Sequence, residues 1–87
     1  MSTTDLIRQR LAALEPETYT LEDESAQHKG HAGAASGGGH FRLTLVSPRF
    51  RNLSTLARHR LVYETMGELM HRDIHALSIT ALTPEEL

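Results

Sequence analysis

The sequence predicts an α+β domain of element order α-β-β-α-β, with two helices packed on one face of a three-stranded mixed sheet. Three observations carry this. Apolar residues recur at helical spacing near the N-terminus and again over residues 54–71. Short stretches of period-two alternation fall after the first helix, after residue 40 and after residue 73. The connections then set the topology. A loop joins the first two strands, so they run antiparallel. A helix joins the second to the third, so these run parallel through a right-handed crossover.

Each element has a local cause. Thr3 or Thr4 can cap a first helix that starts at Asp5, with Ile7, Leu11 and Leu14 along one side, ending before Pro16. Tyr19 and Leu21 alternate with Thr18, Thr20 and Glu22 in a short strand. Residues 24–40, ESAQHKGHAGAASGGGH, hold five glycines and read as a flexible loop. The second strand, His40 to Ser47, turns Phe41, Leu43 and Leu45 one way and Arg42, Thr44 and Val46 the other, and Pro48 ends it. Ser54 caps the main helix, which is expected to run to about His71. Its broad apolar face comprises Leu56, His59, Val62, Tyr63, Met66, Leu69 and Met70; Arg60 and Glu64 are spaced for an i,i+4 pair. In the third strand, Ile74 to Leu82, simple alternation puts His75, Leu77, Ile79 and Ala81 on one face and Ile74, Ala76, Ser78 and Thr80 on the other. Thr83-Pro84 closes it.

Length and composition narrow the function. The 87 residues are read as a single domain, which buries only about 60–65% of its unfolded surface and has room for one two-layer core. The absence of cysteine excludes disulfides, thiol catalysis and zinc-finger chemistry within the chain. No apolar run approaches membrane-spanning length, and the N-terminus lacks a signal-peptide apolar region, so an untargeted cytoplasmic protein is expected. The net charge of −2 hides three blocks. Residues 1–24 carry six acids and two bases, −4; residues 25–63 carry six bases and no acid, +6; residues 64–87 carry five acids and one base, −4. The central block is a candidate basic surface unless the fold interleaves the charges.

Six histidines and no thiol leave imidazole as the natural metal donor. His75, fixed where a strand opens, is the residue to explain. His28 and His31 form an HxxH pair, weak evidence for a zinc site in a flexible loop. His71 and His75 have i,i+4 spacing, which is a metal spacing only if both stand on one helix, and the strand from Ile74 argues against that. His59 falls inside the apolar face of the main helix and reads as a packed histidine with a hydrogen-bond partner. Catalysis finds little support: Ser47 and Ser54 lack a nucleophile context, and Gly37-Gly38-Gly39 precedes a strand rather than a helix, so it makes no phosphate cradle.

The pattern resembles the BolA family, whose fold is like a class II KH domain. The matching residues are Asp23-Glu24-Ser25 with His28, His40-Phe41, Val46-Ser47, Phe50, Arg58-His59-Arg60, Val62-Tyr63, Glu68-Leu69, Ile74-His75-Ala76-Leu77 and Thr83-Pro84. They cover nearly the whole chain from Leu6. Two departures stand out. Asn52 occupies a turn position where the family commonly has Gly; Asn is the next best residue for a left-handed backbone. The family usually ends in TPxEW, and here the sequence reads TPEEL.

The resemblance implies pairing with a monothiol glutaredoxin in a heterodimer that shares a bridging 2Fe-2S cluster. The glutaredoxin cysteine and glutathione hold one iron. The BolA-like partner holds the other through the histidine of the last strand and a residue of the loop after the first. Carried over by position, these are His75 and His28, with His31 and His40 as alternates for the second. The ligand set would be Rieske-like, with a raised reduction potential, and cluster binding should weaken as pH falls, because ligating imidazoles must be unprotonated. No cofactor is expected in the isolated chain, taken as a monomer or weak homodimer. The family also includes proteins described as transcriptional regulators, so Arg49, Arg51, Arg58 and Arg60 become candidate contacts to DNA phosphates. The KH signature GxxG is absent; the corresponding turn reads PRFRNLS.

Overall fold

The computed structural model describes residues 2–25 and 39–87. Helix α1 spans Thr3–Leu11 and tightens into a 3-10 turn at Ala12–Leu14; strand β1 is Thr18–Asp23 and β2 is Gly39–Val46. Helix α2 covers Thr55–Met66, a short helix α3 covers Leu69–Arg72, and β3 runs from Ile74 to Leu82. Further 3-10 turns lie at Pro48–Phe50 and Pro84–Glu86.

The sheet has the order β1-β2-β3, antiparallel between β1 and β2 and parallel between β2 and β3. This is the α+β architecture expected, with the helices on one face. Ile7, Leu11 and Leu14 from the first helical segment meet Phe41, Leu43 and Leu45 of β2, Val62 and Met66 of α2, Leu69 of α3, and Ile74 and Leu77 of β3 in one core. Phe50, fully buried, closes it under the turn that precedes α2. Tyr19, Leu21 and Ile79 pack on it as half-buried flanks.

Three local expectations change. The cap of α1 is Ser2, one residue earlier than expected, because Ser2 and Asp5 satisfy each other's backbone N–H groups in a capping box. The main helix does not run unbroken to His71. It stops at Gly67, whose φ of 58° and ψ of −130° suit only a residue without Cβ, and α3 then resumes as a separate turn. The buried face of α2 is also rotated: Val62 and Met66 are fully buried, whereas Leu56 is 60% and Tyr63 40% exposed. The cause is Arg58. Its side chain, only 13% exposed, takes the inward position by donating to the carbonyls of Leu53 and Ala81 and to Glu86.

Other readings hold. Ser54 caps α2 by accepting from the Ala57 N–H. Asn52 adopts a left-handed φ of 65°, so the turn survives without glycine.

Candidate metal centre

His75 sits where β2 and β3 fall out of simple register. Gly39 pairs with Ile74, but His40, the next residue, pairs with Ala76. One step on β2 therefore matches two on β3, and His75 is the extra residue of a β-bulge. The consequence for the faces is direct. Ile74 and Leu77 both enter the core at 3% and 8% exposure, and His75 is exposed. Simple alternation, which grouped His75 with Leu77, Ile79 and Ala81, fails at this point. It also misplaced Ile74, which shares the core with Leu77.

His40 stands opposite, on β2. The ring centroids of His40 and His75 are 5.0 Å apart, with their planes tilted by 38°. The backbone beneath them is tied on three sides. The Glu24 N–H donates to the His40 carbonyl at 2.7 Å and the Gly39 N–H to the Asp73 carbonyl at 3.1 Å. The His40 N–H donates to Ser25 Oγ at 3.0 Å. Ser25 is itself fixed: its N–H donates to Asp23 Oδ1 at 2.9 Å, and hydrogen bonds from the Ser25 side chain and backbone hold the Asp23 carboxyl below its ordinary pKa. Asp23 and Ser25 thus anchor the start of β2, a role that the sequence reading did not assign to them. The signal for it was the Asx-turn spacing of Asp23 and Ser25. Gly39 is required for a steric reason. A Cβ there would lie 2.5 Å from Cε2 of the Phe41 ring.

The other histidines separate from this pair. His71 lies on α3 and His75 on β3, so their spacing makes no shared site. His59 is half-buried and forms no hydrogen bond among the described residues, so its expected partner is absent from them. His28 and His31 lie outside the described residues. No group of three or more histidines and carboxylates among the described residues could hold a metal ion. The His40–His75 pair can therefore contribute only part of a coordination sphere.

The arginines of the central block are largely paired with acids from the flanking blocks. Arg49 contacts Glu15 at 2.7 Å, Arg51 contacts Glu85 at 2.5 Å, Arg58 contacts Glu86 at 2.6 Å and Arg42 contacts Glu24 at 3.4 Å. The fold interleaves the charge blocks. Arg60 is the exception: it is exposed and forms no ion pair among the described residues, and the expected pair with Glu64 does not form. An i,i+4 pair closes instead between Glu68 and Arg72 at 3.9 Å.

The family model for BolA-like proteins matches residues 11–86. The chain belongs to the BolA-like family. It is 46% identical over 74 residues to BolA-like protein 1 of Mus musculus, covering 85% of this chain and 52% of that one. It is 33% identical to a protein of Haemophilus influenzae named DNA-binding transcriptional regulator BolA, covering 99% of this chain and 82% of that one. Among solved structures, BolA1 from Arabidopsis thaliana superposes with a TM-score of 0.84 at 34% identity over 100% of this BolA-like chain and 98% of that one. The BolA domain of SufE1 from the same plant gives a TM-score of 0.81 at 41% identity, covering 93% and 91%. The chain spans about half the length of the mouse relative, or 52%. No helix among the described residues is long and apolar enough to cross a membrane.

Proposed function

We propose that this BolA-like chain is a regulatory adaptor, not an enzyme, that pairs with a monothiol glutaredoxin and co-ligates a bridging 2Fe-2S cluster in iron–sulfur trafficking or in iron, redox or stress signalling. The observation that carries this reading is His75, exposed on a β-bulge beside His40 in a family member without a single cysteine. His75 is one ligand. The second is His28, by its position after Asp23-Glu24-Ser25, with His31 and His40 as alternates. The cluster would supply electron-transfer or transfer-of-iron chemistry. This chain's part is to present imidazoles from a fixed strand start and to leave the thiolate positions to glutaredoxin and glutathione. A reducing compartment such as the cytoplasm suits that ligand set.

The test is reconstitution with a monothiol glutaredoxin, glutathione, iron and sulfide, followed by visible absorption and circular dichroism. The expected result is a heterocomplex spectrum that His75→Ala alters. An unchanged spectrum removes His75 from the ligand set.

A second reading is direct DNA binding. It is favoured by the name of the Haemophilus influenzae relative and by Arg60, exposed and without an ion pair among the described residues. Arg49 and Arg51 are exposed but would have to exchange Glu15 and Glu85 for phosphate, and Arg58 is tied to two carbonyls and a carboxylate. Arg60 is therefore the first residue to test. DNA affinity that ignores salt, and also ignores alanine at Arg49, Arg51 and Arg60, rules this reading out.

A further inference from the structure

We infer that the outer face of α2 is a self-association surface, on which a second copy of this chain packs its own α2 antiparallel about a two-fold axis. Val62 and Met66 take the inner face of this helix into the core, while Leu56, 60% exposed, and Tyr63, 40% exposed, stand on the outer one. Helical spacing aligns Leu56, Arg60, Tyr63 and Gly67 in one stripe, with Glu64 beside it. Arg60 and Glu64 are both exposed, and neither forms an ion pair among the described residues. Arg60 precedes Glu64, which is the weaker order for an i,i+4 pair, so both charges stay available to a partner. These charges select the occupant. A base and an acid one turn apart complement the same two groups turned end for end. A two-fold axis level with Val62 therefore sets Arg60 of each copy against Glu64 of the other. The same axis fits the apolar residues. At a rise of 1.5 Å per residue, Leu56 lies about 9 Å from the axis on one side and Gly67 about 7.5 Å on the other. Leu56 of each copy then reaches Gly67 of the other, where the missing side chain leaves a hollow walled by Tyr63 and Met70. A contact between two helices of about three turns falls short of the roughly 800 Å² per partner of a standard interface, so the dimer is weak and exchanges with monomer. None of the proposed cluster ligands stands on α2, so this surface is independent of the cluster reading.

Sedimentation equilibrium of the full chain at low salt, from micromolar to millimolar concentration, tests this. A monomer–dimer equilibrium is expected, and it should weaken as salt rises. Arg60→Glu and Glu64→Arg should each weaken association by about tenfold, because each turns two attractions into two repulsions. Mixing the two variants in equal amounts should restore association, since the copies then carry opposite charges at both contacts. The double variant Arg60→Glu, Glu64→Arg has the net charge of the parent and should associate as the parent does. Both positions are exposed, and far-UV circular dichroism checks each fold. A defect of folding in either single variant would persist in the mixture, so recovery on mixing supports the proposal. A chain that stays monomeric at millimolar concentration overturns it. A dimer that ignores both charge reversals overturns it as well, because the contact then lies elsewhere. So does a dimer that neither the mixture nor the double variant restores.

Discussion

Ser47→Ala should destabilise the protein strongly while leaving the histidine pair untouched. Ser47 is fully buried where β2 ends. Its Oγ donates to the Leu14 carbonyl at 2.5 Å and accepts from the Arg49 N–H at 3.0 Å, which caps the turn at Pro48–Phe50. Alanine removes both bonds and cannot replace either. Loss of the cap costs about 1 kcal/mol. Leaving the buried Leu14 carbonyl without its donor costs about 1–2 kcal/mol more. The sum is about 2–3 kcal/mol, or a fall in Tm of roughly 10–20 °C for a domain of this size. Urea and thermal unfolding followed by circular dichroism measure it. A loss under about 0.5 kcal/mol would refute the reasoning, because it would mean that water or a backbone shift satisfies both groups at no cost. Ser47 and His40 sit at opposite ends of β2, roughly 20 Å apart at strand rise. Below its lowered Tm, the variant should therefore give the parent heterocomplex spectrum with glutaredoxin.

Gly67→Ala should cost about 1–3 kcal/mol in urea unfolding through backbone strain, since a Cβ there meets nothing closer than Arg10 Nη1 at 3.4 Å; a neutral outcome would mean that the break between α2 and α3 relaxes freely. Gly39→Ala should cost about 1–3 kcal/mol by driving the Phe41 ring aside, and should perturb His40 resonances in an NMR spectrum of the folded variant; unperturbed His40 signals would contradict the close approach. Acid should loosen the C-terminal turn. Glu86 is held at a pKa of about 2 by its hydrogen bond from Arg58 and then by the Thr83 N–H, and Glu85 is lowered by Arg51. A carboxyl depressed on folding stabilises the native state above its unfolded pKa, and that stability drains away as pH falls through the folded value. The Tm should thus decline between about pH 4.5 and 2, and Glu86→Gln should flatten that decline. An identical slope in the variant would detach the turn from acid stability.

Much of the architecture was legible because single residues dictate it. Ser54 and Pro48 mark boundaries by backbone chemistry alone, and Ile74–Leu82 stands as read. What escaped depended on partners distant in sequence. The charge blocks are separate along the chain, but Arg49 reaches Glu15 and Arg58 reaches Glu86 only after folding. Arg58 was read only as a candidate phosphate contact; its bonds to Leu53 and Ala81 turn it inward and turn Leu56 out. The main helix was read as running to about His71, and only the backbone angles of Gly67 show that it ends there. His75 was singled out from its position, whereas its pairing with His40 required the register between β2 and β3.

The exposure of His75 follows from a packing conflict that the sequence contains. Ile74 and Leu77 are three residues apart, and a regular strand sends residues three apart to opposite faces. Burying both contributes about 1.5–3 kcal/mol for each side chain. Turning either outward would forfeit that and open an apolar patch at the sheet edge. One added residue resolves the conflict, because a bulge resets the alternation at the cost of local ladder regularity. The residue spent on the reset has no place in the core and is left to solvent. That residue is His75, and the parallel neighbour it meets is His40. Deleting Ala76 would put Ile74 in phase with Leu77, Ile79 and Ala81 and so remove the need for the bulge. The deletion variant should regain regular pairing from Gly39 onward, with His75 directly opposite His40 on the face away from the core. If it kept a bulge at His75, core packing would not be its cause.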